Sequence, residues 1–207
     1  MAVINSFKRS FSELRSIRCL ATVGVFIAIF VVLDGFCSIR IGDFLKINFA
    51  YLALAVIGML FGPSIGLLSG FACDLVGYFI NPVGAFIPWF ALITALEGMI
   101  YGLFLYDFVP YRLDGSKSLK QFFSQYGRIF FARTAAVIIC NLLLNTLALY
   151  QCGFIGNTEE GFWTLVGARI GTNAIGLGIA FAIMPAVLIP IKIAYSRIFS
   201  VNRARQR

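Results

Sequence analysis

The sequence predicts an all-α integral membrane protein, a bundle of six transmembrane helices with both termini in the cytoplasm. Three observations lead there. The 207 residues are 60% hydrophobic and only 13% charged, about half the charge of a soluble domain. Mean hydropathy is +0.90. The apolar residues gather into six stretches, most of them approaching the ~20 residues that a spanning helix needs.

The spans are read at 17–33, 47–62, 64–80, 87–106, 129–150 and 163–191, with basic tails at 1–16 and 192–207, all within a single membrane domain, 1–207. The first is too long for the apolar core of a signal peptide, and no small-x-small cleavage pattern follows it before Asp34. The second and third are short. Gly62-Pro63 separates them, because proline lacks the N–H and the space to continue a helix. The fourth starts at the aromatic cluster Phe86, Trp89 and Phe90. Between the fourth and fifth lies the longest polar stretch, Asp107 to Arg128, which has the size of a loop and no periodicity of its own. The fifth ends at Tyr150, and the sixth runs from Trp163 toward the basic C-terminus.

Charge sets the orientation. Lys8, Arg9, Arg15 and Arg18 lie in the N-terminal segment, up to the very start of span one; Arg112, Lys117, Lys120 and Arg128 fall between spans four and five; Lys192, Arg197, Arg203, Arg205 and Arg207 follow span six. These are thirteen of the 17 basic residues, and the opposite loops hold only Arg40 and Lys46. The positive-inside rule then places both termini in the cytoplasm. The net charge of +8 reports topology, and no nucleic-acid partner is expected.

Several chemistries are excluded. Histidine is absent, which removes the commonest general base and transition-metal ligand. The five cysteines (Cys19, Cys37, Cys73, Cys140, Cys152) form no C-x-x-C pair. No P-loop motif occurs, so any ATP hydrolysis belongs to other chains. Neither a cofactor nor a metal is expected.

Asp74, Glu97, Arg133 and Arg169 lie inside apolar stretches, where an ionisable group costs several kcal/mol and marks a candidate site. Counting about 1.5 Å per helical residue, Asp74 and Arg169 each lie roughly 9 Å below the outer surface and Asn145 roughly 8 Å. Asn173 follows Arg169 by four residues on the same helix face. Glu97 is deeper. Arg133 lies near the inner end of span five, from where it can snorkel to the interface. Arg40, Lys46 and Asn48 sit in the loop above, with Phe86, Trp89 and Phe90 at the start of span four. Flat apolar side chains with a few convergent polar groups suit an amphipathic organic ligand, and arginine suits its carboxylates. The plainer readings are an Asp74–Arg169 ion pair, asparagines that glue helices, a Trp89 interface anchor and a Glu97 bond to a neighbouring helix. Convergence at one depth favours the pocket.

Small residues recur every four positions: Gly58, Gly62, Gly66 and Gly70, then Gly98 and Gly102, then Gly167 and Gly171. Such spacing chiefly serves helix packing. Gly24 and Ala28 repeat it in span one, where an exposed docking face is the alternative.

These segments resemble the folate-type substrate-binding subunits (S components) of energy-coupling factor (ECF) vitamin transporters. Lys46-Ile47-Asn48-Phe49 leading into Gly58-Met59-Leu60-Phe61-Gly62-Pro63 resembles that family's K-x-S-F and G-M-L-F-G-P. Asp74-Leu75-Val76-Gly77 resembles its A-D-L-L-G, and Pro82-Val83-Gly84-Ala85-Phe86-Ile87-Pro88 its P-x-G-x-F-x-P. Leu144-Asn145-Thr146-Leu147 matches L-N-T-L, and Ala168 to Asn173 resembles A-R-[LI]-x-K-N. The match runs from about residue 17 to 190. Departures are Ala148 where the family usually has Trp, Trp89-Phe90-Ala91 after Pro88 in place of G-F-T, and Thr172 in place of Lys.

The resemblance implies a six-helix S-component bundle in the bacterial plasma membrane that binds a vitamin, folate first, and is not an enzyme. Its partners would be the lipid bilayer, a transmembrane coupling subunit (T component) docked on Gly24 and Ala28, and two cytoplasmic ATPases. On folate, Arg169, Arg40 and Lys46 would hold the glutamate carboxylates. Asp74, Asn145 and Asn173, with Asn48 nearby, would meet the polar edges, and Phe86, Trp89 or Phe90 would stack on the rings. Loops 34–46 and 80–88, hinged on Gly35, Gly42 and Gly84, would form a lid. The rivals are another carboxylate-bearing vitamin or heterocycle, a membrane enzyme using Asp74 and Glu97 as acid and base, and a stand-alone secondary transporter.

Overall fold

The computed structural model describes residues 2–14, 16–37, 39–41, 45–82, 86–106, 119–151 and 159–205. Its elements are α1 (Ala2–Glu13), α2 (Ile17–Phe36), a hairpin of β1 (Ile39–Ile41) and β2 (Leu45–Ile47), α3 (Tyr51–Phe61), α4 (Pro63–Ile80) and α5 (Pro88–Leu105). Then follow α6 (Leu119–Ala136), a π-helical segment (Val137–Leu144), α7 (Asn145–Gln151) and α8 (Glu159–Arg205). Among the described residues, five stretches are long and apolar enough to cross a membrane, and α3 is a shorter sixth. The all-α expectation therefore holds, with the addition of two three-residue strands.

The second span is the main correction. Residues 47–62 do not form one crossing helix, because α3 has 11 residues. At 1.5 Å per residue it covers about 16 Å of a hydrocarbon core ~30 Å thick. Asn48 starts it: its Oδ1 accepts the Ala50 N–H at 2.8 Å, and its Nδ2 donates to Asp34 at the end of α2 at 2.5 Å. Every residue of α3 is buried, and Leu54, Ile57 and Met59 are fully enclosed. So short an apolar helix is stable here because protein, not lipid, surrounds it.

The space beyond its C-terminus is filled by α1, which is helical where the sequence suggested only a basic tail. Ser10 Oγ donates to the Phe61 carbonyl at 2.6 Å and accepts the Ile65 N–H at 3.2 Å. It thus bonds both helix ends across the Gly62-Pro63 break, where α3 and α4 leave backbone groups unsatisfied. Ser64 Oγ donates to the Phe7 carbonyl, and Lys192 Nζ of α8 donates to the Met59 carbonyl at 2.8 Å. A cation at a helix C-terminus also complements the helix dipole. Gly62 adopts φ +88°, a conformation open to glycine but strained for other residues. The C-terminal tail is likewise a continuation of α8, which does not end at residue 191.

The recurring glycines bring α3, α4 and α5 into backbone contact. A Cβ on Gly66 would strike the Gly98 carbonyl, one on Gly70 the Thr94 carbonyl, and one on Gly58 the Gly102 nitrogen at 2.7 Å. Packing is the role the spacing suggested, and these helices fulfil it; at Gly167 and Gly171 of α8 an added Cβ meets nothing within 4 Å, so the spacing there makes no such contact. Around Gly24, too, nothing lies within 4 Å of an added Cβ, and Ala28 is exposed as well.

Candidate functional site

The hairpin end of the bundle carries most of the polar groups singled out in the sequence, in two clusters, while Glu97 and Arg133 form a network of their own. In the first, Asn48 of the segment before α3 holds Asp34 of α2, and Asp34 lies within electrostatic range of Asp74 on α4. Half-buried Asp74 accepts from Thr94 Oγ1 of α5 at 3.4 Å, a long contact that leaves most of the carboxylate's acceptor capacity unused.

The second cluster joins α8 to the π segment. Arg169 Nη1 donates to the Asn141 carbonyl at 3.2 Å. The π ladder explains this: the Asn145 N–H bonds to the Cys140 carbonyl, five residues back, and not to Asn141 as an α-helix would require. Asn173 Nδ2 and Thr172 Oγ1 both donate to the Arg169 carbonyl, at 2.9 and 3.1 Å. Asn145 is half-buried at the junction of the π segment and α7, and its neighbour Thr146 is fully enclosed with an unpartnered hydroxyl.

Arg169 therefore bonds to a backbone carbonyl; no ion pair joins it to Asp74 among the described residues. The asparagine-as-glue reading fits Asn48, and Asn173 holds its own helix. Phe90 packs half-buried against the core. Phe86 stands 5.2 Å from Tyr78 between ring centroids, and Trp89 is half exposed. The backbones of Arg40 and Lys46 are direct partners across the hairpin ladder. Their side chains, and the lid positions 42–44 and 83–85 with Gly42 and Gly84, lie outside the described residues.

Arg133 corrects an expectation. It does not snorkel to the interface but is buried, with Nη1 at 3.1 Å from Glu97 Oε1 and 2.7 Å from the Tyr101 hydroxyl, which itself donates to Glu97 at 3.0 Å. Its guanidinium lies 3.7 Å from the centre of the Tyr51 ring. Glu97 thus bonds a neighbouring helix, as the plainer reading had it. An acid–base pair of Asp74 and Glu97 loses its second member to this network.

Sequence reasoning missed Asp34, Thr94 and Asn141. Asp34 could have been noticed as an acid closing an apolar run. Asn141 acts through its carbonyl, for which no side-chain signal exists.

The bundle, with five membrane-length apolar helical stretches among the described residues and polar side chains from several of its helices, has the architecture of an integral membrane protein. Residues 14–197 match the profile of the ECF-type riboflavin transporter, S component, and the chain belongs to that family. Among relatives, it is 27% identical to the folate transporter FolT of Clostridium novyi (strain NT) over 136 residues, 66% of this chain and 70% of that one. It is 33% identical to a UPF0397 protein of Aster yellows witches'-broom phytoplasma (strain AYWB) over 132 residues, covering 62% of this chain and 64% of the relative. The crystal structure of FolT bound with folic acid aligns with a TM-score of 0.63 at 25% identity, over 82% of this chain and 91% of that chain. The chain is thus a transport protein rather than an enzyme, and a multi-pass protein of the bacterial plasma membrane.

Proposed function

We propose that this chain is the high-affinity folate-binding subunit of an ATP-driven importer. The observation that carries the reading is its alignment, over most of both chains, with a FolT structure that holds folic acid. The two polar clusters supply suitable chemistry. Arg169, with Arg40 and Lys46 from the hairpin, neutralises the glutamate carboxylates. Asp74 and Asn145, with the Asn173 oxygen that its helix bond leaves over, bond the polar edges of the ring system; Asn48 braces the site from beside them, and Phe86, Trp89 and Phe90 offer aromatic faces.

With the basic segments in the cytoplasm, the hairpin end faces outward, where the vitamin is met. A T component docks on Gly24 and Ala28, and two cytoplasmic ATPases drive the cycle, since this chain carries no P-loop. A second reading, riboflavin as the ligand, is favoured by the description of the matching family. Ala148 and Thr172, which depart from the folate-type motifs, are positions where ligand preference can shift without a change of fold.

Retention of radiolabelled folate by the purified protein, in competition with a panel including riboflavin, separates the two. Tight folate retention that excess riboflavin does not displace is the expected result. Micromolar or weaker folate binding beside tight binding of another vitamin would overturn the folate assignment.

A further inference from the structure

We propose that a groove between α6 and α8 is a binding site for one acyl chain of a bilayer phospholipid, separate from the vitamin site and independent of that ligand's identity. Its origin lies in two residues. Pro185 sits inside α8 with no N–H to offer the carbonyl of residue 181. Across from it, Gly127 contributes no side chain, and a Cβ added there would meet nothing within 4 Å.

The result is a groove of about 290 Å³ lined by Tyr126, Gly127, Ile129, Phe130, Phe181 and Pro185. Phe130 and Phe181 stack at 4.1 Å between ring centroids and make one wall. The Tyr126 hydroxyl is the only polar side-chain atom these six residues possess.

The surroundings identify the occupant. The lining belongs to the membrane-spanning stretches Tyr126–Leu149 and Arg169–Arg197. Phe130 and its neighbour Phe131 are exposed, so the groove is continuous with the surface that contacts lipid. The volume falls at the lower edge of the ~300–1,000 Å³ typical of small-molecule sites. With one hydroxyl and no charge, the groove gives no hold to a carboxylate-bearing heterocycle. A flexible apolar chain entering sideways from the bilayer fills it and recovers the dispersion contacts that the open wall forfeits.

The test uses the full chain, delipidated in detergent and titrated with dioleoylphosphatidylcholine, read by native mass spectrometry. The parent protein should retain one phospholipid under activation that strips the others. Gly127→Leu, whose side chain grows into the groove, should lower that retention about tenfold with an unchanged melting temperature. Phe130→Trp gives a separate readout: one equivalent of chain-brominated phosphatidylcholine should quench its added fluorescence relative to the parent chain. Equal retention by the parent and Gly127→Leu, or no quenching of Phe130→Trp, overturns the proposal. So does unchanged retention with impaired assembly onto the coupling subunit, which would assign the groove to a protein partner.

Discussion

Arg133 donates to Glu97 across 3.1 Å in the interior of the bundle, with side chains 9% and 14% exposed. The pair links α6 to α5, and Tyr51 brings in α3 through its ring. A buried pair of this kind adds little net stability over an apolar pair, because both charges must be taken out of water. Removing one partner is another matter, since the remaining charge is then buried alone.

Glu97→Leu should therefore destabilise the detergent-solubilised protein by about 3–5 kcal/mol, and Glu97→Leu with Arg133→Met should recover most of that loss. Thermal unfolding of the single and double variants checks this. Where the single variant remains folded, ligand affinity should survive, since the network is structural; loss of binding with an unchanged melting temperature would contradict that role.

Gly66 and Gly24 should respond oppositely to the same added methyl. Gly66→Ala drives a Cβ into the Gly98 carbonyl and should cost about 1–3 kcal/mol by forcing α4 from α5. Gly24→Ala meets open space and should leave the melting temperature unchanged. Replacing Gly24 by Trp tests the docking face: co-purification with the coupling module should fall while folate retention by the isolated chain persists.

Arg169→Ala should weaken folate binding roughly tenfold to a hundredfold, the range for losing a hydrogen bond to a charged group. Isothermal titration with folate and with a pteridine lacking the glutamate tail localises the effect. If Arg169 meets the carboxylates, the tail-less compound loses little affinity on substitution. A loss of similar size for both compounds would place the guanidinium elsewhere.

Glu13, in α1 outside the spans, is half-buried beside Tyr106, Arg9 and Lys192. Burial raises its carboxyl above the ordinary value of 4.5, against the opposing pull of the Tyr106 hydrogen bond and the two cations. The folded state thus binds this proton more tightly than the unfolded one. Its contribution to stability is complete below the ordinary value and is lost as pH rises through the folded one. Melting temperatures of the parent chain and Glu13→Gln, measured across that range, should diverge in the parent's disfavour as pH increases.

How much was legible in the sequence depended on the kind of signal. Membrane insertion and the places of most spans follow from apolar length, which depends on the local run of residues and not on their partners. Gly62-Pro63 announced a helix break for the same local reason, and glycine spacing announced close packing. The shortness of α3 was hidden, because an apolar helix enclosed by protein and one enclosed by lipid read alike. Helical α1 was hidden too: the polar residues of its inward face, such as Ser10, find partners only across the α3–α4 break.

The sequence by itself determined that this chain lives in a membrane, which residues carry intramembrane charge and which family motifs it bears. Tertiary structure decided what those charges touch. Arg133 turned inward to Glu97 rather than outward to the interface, and Arg169 found a carbonyl that a π-helical register had released. Both outcomes depend on which helices lie side by side, because a charge in low dielectric takes the nearest partner that geometry offers.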